Sequence, residues 1–160
     1  MKAKFTNKYM RNIKIYMMFL ILFTSCNFSA NVKKDNDIKD KEDAESMANL
    51  FYLYTANKNY DSILNLMNKD FYKVTSKKEL RMYLINKERD LGNFKEFSLK
   101  DWKTTKISGT NSKTEYFLTY NTIYSKANAY ETISLIKENG KVKIYGYRVK
   151  PDDADMMLER

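Results

Sequence analysis

Residues 131–147 read ETISLIKENGKVKIYGY, and this stretch decides how the second half of the chain folds. Two segments of alternating apolar and polar residues flank Asn139-Gly140, a dipeptide typical of a type I′ hairpin turn. A two-residue turn fixes the register of the paired strands. The register sets Glu131 opposite Arg148 at the far end of the hairpin and places both on one sheet face.

Working outward, the residues before the hairpin have the same strand-like composition. A turn-rich segment, Ser108–Ser112, separates two further stretches rich in Thr, Tyr, Phe and Ile. The predicted strands span residues 94–107, 114–124, 130–137 and 142–149. Their short connections predict an antiparallel meander.

The residues before the sheet have helical periodicity instead. One helix is predicted from about Asp43 to Asn57, and a short second helix over residues 60–67. A third helix is predicted to begin at a capping box formed by Ser76 and Glu79, with Gly92 as its C-terminal stop. The residues that recur at helical spacing along this third helix are Leu80, Tyr83, Leu84, Lys87 and Leu91. The predicted fold is α+β, with N-terminal helices packed on a four-stranded antiparallel sheet.

This element order resembles the nuclear-transport-factor-2-like (cystatin-like) superfamily, whose N-terminal helices pack across a curved sheet. The similarity covers about residues 43–150. It rests on the two helices within residues 51–67, the Leu91-Gly92 break and the hairpin motif. The resemblance implies a cone-shaped domain, often with a pocket at the open end of its concave face.

The N-terminus has the organisation of an export signal. A basic segment is followed by nine apolar residues, Ile15 to Phe23, which are too few to span a bilayer but typical of a signal peptide. Phe23-Thr24-Ser25-Cys26 resembles a lipobox, although Phe23 replaces the usual Leu. The resemblance implies cleavage before Cys26, a diacylglyceryl group on its thiol and acylation of its amine. The alternative is an ordinary signal peptide cleaved elsewhere.

The predicted organisation therefore has four parts. Residues 1–25 are the signal peptide, residues 26–42 the lipidated cysteine and a flexible polar tether, residues 43–150 the α+β domain, and residues 151–160 a C-terminal tail. The lipid anchor implies attachment to a membrane of the cell envelope. Asn27 after the cysteine implies the periplasmic side of the outer membrane, or the outer face of the cytoplasmic membrane where no outer membrane exists.

Composition excludes several chemistries. The chain has no His and one Cys, which excludes a Ser-His triad, an internal disulfide and a Cys-cluster metal site. No metal-ligand spacing, phosphate-binding loop or dinucleotide motif is present, so no cofactor is expected. The formal charge of +9 falls to +4 without the first 25 residues, and the remaining charges are interspersed. Nucleic acid is therefore not an expected partner.

The candidate ligand pocket combines Glu131 and Arg148 with the aromatic residues Trp102 and Tyr120. The alternatives are an ion pair at the sheet rim and ordinary aromatic packing. The aromatic residues that alternate along the strands are Trp102, Tyr116, Tyr120, Tyr124 and Tyr130.

Two functions compete. One is a non-catalytic binding or scaffold module for an envelope protein or a small ligand. The other is an isomerase-like enzyme with Asp101 or Glu131 as its base. We predict no catalysis, because a guanidinium opposite Glu131 stabilises the charged carboxylate and makes it a poorer base.

Overall fold

The computed structural model describes residues 32–109 and 112–152 of the chain. The predicted signal peptide, Cys26 and residues 153–160 of the predicted tail lie outside these residues, whereas Pro151 belongs to the last strand. All described elements belong to one unit. In order they are β1 (Val32–Asp35), α1 (Ile38–Ala56), α2 (Tyr60–Leu66), a 3₁₀ turn (Phe71–Lys73), α3 (Lys77–Leu91), β2 (Phe94–Ser108), β3 (Lys113–Tyr124), β4 (Asn128–Glu138) and β5 (Lys141–Pro151).

The predicted α+β class is confirmed, but the antiparallel sheet has five strands rather than four, in the order β1-β2-β3-β4-β5. The additional strand, β1, pairs with the end of β2, from Val32 opposite Ser108 onwards. Asn36 then ends the strand with a φ of 56° and exchanges hydrogen bonds of 3.0 Å with the backbone of Thr104. Backbone hydrogen bonds to β2 hold this edge strand in the sheet. They do not depend on the side chains, so a polar sequence without alternation can form the strand.

Helix α1 begins at Ile38, five residues before the predicted start at Asp43. Asp37 caps the helix, because its carboxylate accepts a hydrogen bond of 2.9 Å from the backbone N–H of Lys39. The prediction of a flexible tether is therefore wrong for residues 32–42, which form a strand and the first turn of a helix.

Helix α3 begins and ends as predicted. The hydroxyl of Ser76 accepts from the backbone N–H of Glu79 at 3.2 Å, and the Glu79 carboxylate accepts from the backbone N–H of Ser76 at 2.7 Å. This pair is the capping box. Gly92 closes the helix with a φ of 88°.

The helices of the described residues include none with the length and the apolar character that a membrane span requires.

The core lies between helix α1 and one face of the sheet, which we call the helix-facing face; the opposite side is the outer face. Even-numbered residues of β3 and odd-numbered residues of β4 are buried there. The largest apolar and aromatic side chains that are almost fully buried are Phe51, Tyr52, Ile63, Leu84, Tyr116, Leu118, Tyr120, Ile133, Leu135 and Ile144. Each such Leu or Ile stabilises the fold by about 1.5–3 kcal/mol.

The terminal hairpin turns at Asn139 and Gly140, whose φ values of 51° and 75° fit the predicted type I′ turn. The predicted register holds from the turn to Leu135 opposite Ile144, where a β-bulge shifts the pairing by one residue.

The shift sets Glu131 opposite Val149, so the predicted pairing of Glu131 with Arg148 is wrong. The bulge inserts one additional residue into β5, which reverses the sheet face that each later residue of this strand occupies.

Candidate functional site

A charged pair lies inside the domain. The Glu131 side chain is fully buried and that of Lys87 is 5% exposed, and the Lys87 Nζ lies 3.2 Å from Oε1 of Glu131. The same ammonium donates hydrogen bonds of 2.7 Å to the hydroxyls of Tyr124 and Tyr147. Its three N–H donors are therefore all used.

The two tyrosine hydroxyls complete the arrangement on the carboxylate side. Tyr124 donates to Oε1 of Glu131, and Tyr147 donates to Oε2 at 2.6 Å. Each hydroxyl thus accepts a hydrogen bond from Lys87 and donates one to Glu131. We call these four residues the Lys87–Glu131 network. Both charges and both hydroxyls are satisfied within it, as burial requires.

Each member is placed by its own element. Lys87 lies on the buried stripe of α3 with Leu84 and Leu91. Glu131 follows the odd-numbered buried residues of β4, and Tyr124 the even-numbered ones of β3. Tyr147 contacts the network because the bulge turns it toward the helix-facing face, where its ring lies 4.9 Å from the ring of Phe51.

Burial shapes the protonation of these groups. It lowers the pKa of the Lys87 ammonium, while the charge of Glu131 opposes that effect. Burial and the Glu131 charge hold the pKa of Tyr124 and of Tyr147 well above the ordinary value. Both phenols therefore remain hydrogen-bond donors at neutral pH. Within the network, the positive charge of Lys87 balances the negative charge of Glu131.

A cleft of about 250 Å³ reaches the network from the side of α2 and α3. Lys87 and Tyr124 belong to its lining, whereas Glu131 does not. At its rim, Lys58 forms an ion pair with Glu88 and donates a hydrogen bond of 3.0 Å to Asn93. The cleft therefore meets the cation side of the network, and the carboxylate stays behind it.

The predicted pocket residues lie on two different faces of the sheet. Tyr120 is buried opposite Glu131, and Trp102 is half-buried against the same core. Arg148 is exposed and lies opposite Thr132 on the outer face. The structure therefore brings Glu131, Tyr120 and Trp102 to one face and separates Arg148 from them.

The other residues singled out in the sequence have simpler surroundings. Tyr116 and Tyr124 are buried in the core. Tyr130 lies on the outer face with the Lys100 ammonium 3.8 Å from its ring centre, a cation–π contact. Asp101, the other candidate base, is exposed.

Lys87 and Tyr147 are the network residues that sequence analysis did not select. A signal existed for Lys87, because it is a cation within the apolar stripe of α3 and such a residue needs a buried partner. Tyr147 had no comparable signal, because its orientation depends on the bulge.

Among residues 32–109 and 112–152, no group of three or more potential ligands could hold a metal ion. Comparison of the sequence with protein-family models and with curated proteins finds no match.

Proposed function

We propose that this chain is a lipid-anchored protein of the bacterial cell envelope whose α+β domain is a non-catalytic binding or scaffold module. The observation that carries the non-catalytic part is the Lys87–Glu131 network. The best-placed carboxylate of the domain, Glu131, is fully buried and accepts hydrogen bonds from Tyr124 and Tyr147. A general base must instead reach a substrate proton within hydrogen-bond distance.

The proposal of a membrane anchor is supported by the sequence before the domain. The apolar run Ile15 to Phe23, followed by Thr24, Ser25 and Cys26, has the length and order of a lipoprotein signal. Two or three acyl chains on one residue are sufficient for stable attachment, because each buried methylene contributes about 0.8 kcal/mol. Asn27 supports sorting to the outer membrane in a cell that has one.

The finer fold proposal is a cone of the nuclear-transport-factor-2-like type. Its support is the order of three helices before an antiparallel meander and the packing of α1 over one sheet face. In this proposal the interior of the cone is filled by aromatic and aliphatic side chains, which suits a scaffold or a surface-binding module.

An isomerase-like enzyme is the second candidate, and the cleft beside Lys87 and Tyr124 is the observation that favours it. In that case Glu131 would act as a base after the network opens. Replacing Glu131 with Gln would then abolish a turnover while leaving ligand binding intact.

Metabolic labelling with a fatty acid tests the anchor. The native chain should incorporate label and remain with the membrane fraction. Cys26→Ala should lose the label and accumulate as uncleaved or soluble protein, whereas Ser25→Ala, which keeps a small residue, should retain it. Persistent label in Cys26→Ala contradicts the proposal.

A further inference from the structure

The outer face of the sheet carries a depression of about 340 Å³ above Gly146, which we call the Gly146 depression. Three adjacent strands contribute to it. Its lining consists of Phe117 from β3, Thr132 and Ser134 from β4, and Gly146, Tyr147 and Arg148 from β5. The helices pack on the other face of the sheet. None of the described helices therefore covers the depression.

Gly146 forms the floor of this depression. Its φ is not in the left-handed region, so the backbone conformation itself does not demand glycine. A Cβ at this position would lie 3.2 Å from the Cβ and 3.3 Å from the Oγ of Ser134, closer than side chains normally pack. The missing side chain keeps the strand surface low, a feature typical of sites where another group approaches the backbone.

Arg148 stands at the edge of the depression because the bulge in β5 turns it outward. Arg81 and Arg89 form ion pairs with Asp61 and Asp90. Among the described arginines, Arg148 is the one that has no such partner. An exposed, unpaired guanidinium offers a planar fork of donors that matches a carboxylate.

The remaining walls define the rest of the ligand. Thr132 and Ser134 place hydroxyls at the floor, and the Thr132 hydroxyl has one weak contact of 3.4 Å with Thr119. Phe117 is 38% exposed and supplies an aromatic wall. A ligand that fits needs hydroxyl groups for the floor, a flat face with C–H groups for the ring, and one anion for Arg148.

We propose that the Gly146 depression binds an acidic sugar, with its carboxylate on Arg148, its hydroxyls on Thr132 and Ser134, and its ring face on Phe117. An apolar acid fits less well, because it offers no hydrogen-bonding group to the hydroxyls of Thr132 and Ser134. This inference names a ligand class for the binding module and rests on that proposed function.

Calorimetric titration of the full chain, expressed with its N-terminal segment and purified in detergent, tests the site. Trigalacturonate is the probe and maltotriose the neutral comparison. We expect saturable binding of trigalacturonate and none of maltotriose. Arg148→Gln should raise the Kd about tenfold or more, because a charge-assisted hydrogen bond is lost. Arg148→Lys should also weaken binding, because lysine lacks the planar fork of donors of the guanidinium even though it keeps the charge.

Lys141→Gln is the matched control, since it removes one positive charge from an exposed position at the end of the same hairpin. Its Kd should stay within about twofold of the native value. Absence of trigalacturonate binding, or equal weakening by Arg148→Gln and Lys141→Gln, overturns the proposal. Either result leaves fatty-acid labelling of Cys26 unchanged, so failure of the ligand is distinguishable from failure of the anchor.

Discussion

The ammonium group of Lys87 lies 3.2 Å from the carboxylate of Glu131, although the two residues are 44 positions apart and belong to a helix and a strand. The pair joins α3 to strand β4 of the sheet. Removing two charges from water is costly, so such a pair is retained where it specifies one arrangement of its elements or serves a function. Here the closed hydrogen-bond network favours the structural role.

Removing one member of this pair should be strongly destabilising. Lys87→Met leaves the Glu131 carboxylate buried without a countercharge and should lower the free energy of unfolding by about 3–5 kcal/mol. The double variant Lys87→Met/Glu131→Leu should recover part of this loss, because both charges are then absent. Urea denaturation of the native protein, of Lys87→Met, of Glu131→Leu and of the double variant measures the effect.

The control for this cycle is Arg89→Met, which breaks an exposed ion pair with Asp90 and should cost less than about 1 kcal/mol. If the two single losses simply add in the double variant, Lys87 and Glu131 do not interact as described.

The hydroxyl of Tyr147 should contribute separately. Tyr147→Phe keeps the ring but removes a donor to Glu131 and an acceptor for Lys87, so we expect a loss of about 1–3 kcal/mol in unfolding free energy. Tyr130→Phe, on the outer face, keeps its ring contact with Lys100 and should change stability by less than about 0.5 kcal/mol. Equal effects of the two substitutions would argue against the network.

Alkaline pH should destabilise the domain. Burial and the neighbouring Asp40 and Asp43 raise the pKa of Tyr116 from 10.0 to about 12. Between these pH values the unfolded chain loses phenol protons that the folded chain keeps, so stability falls as pH rises. The pKa values of Tyr124 and Tyr147 are also raised and add to this loss.

Lys87 has the opposite effect on stability. Its pKa is lowered in the folded state, so just below pH 10.5 the folded chain binds fewer protons than the unfolded chain, and stability rises with pH. Three buried tyrosines outweigh one lysine, so the urea midpoint should fall between pH 10 and 12. Tyrosinate absorbance provides the check. A native protein whose buried phenols all ionise near pH 10 would contradict the prediction.

Gly92 and Gly140, two of the described glycines with a positive φ, should respond differently to substitution. A Cβ on Gly92 would lie 2.2 Å from the Ser125 hydroxyl oxygen and 3.0 Å from the backbone nitrogen of Lys126, so Gly92→Ala requires the loop to move. A Cβ on Gly140 would have no atom within 4 Å. Gly140→Ala therefore lowers the stability only through the φ of 75°, by about 1 kcal/mol. Thermal unfolding should therefore show a larger loss for Gly92→Ala.

Local chemistry was sufficient to predict several elements. The capping box at Ser76 and Glu79, the stop at Gly92 and the turn at Asn139-Gly140 depend on contacts within a few residues of sequence, and all three are confirmed. Alternation along β4 also predicts that Glu131 shares a face with Ile133 and Leu135, and all three are buried.

Long-range contacts decided the rest. Strand β1 exists because the end of β2 offers it backbone partners, and nothing in its own polar sequence indicates a strand. The bulge near Tyr145 reverses the facing of β5, so Tyr147 meets Glu131 inside and Arg148 is placed outside. The cation that neutralises Glu131 comes from a helix 44 residues away. Periodicity predicts which face of its own helix or strand a residue occupies. It does not predict which residue of another element packs against that face. Those partners are determined only when the helices pack on the sheet.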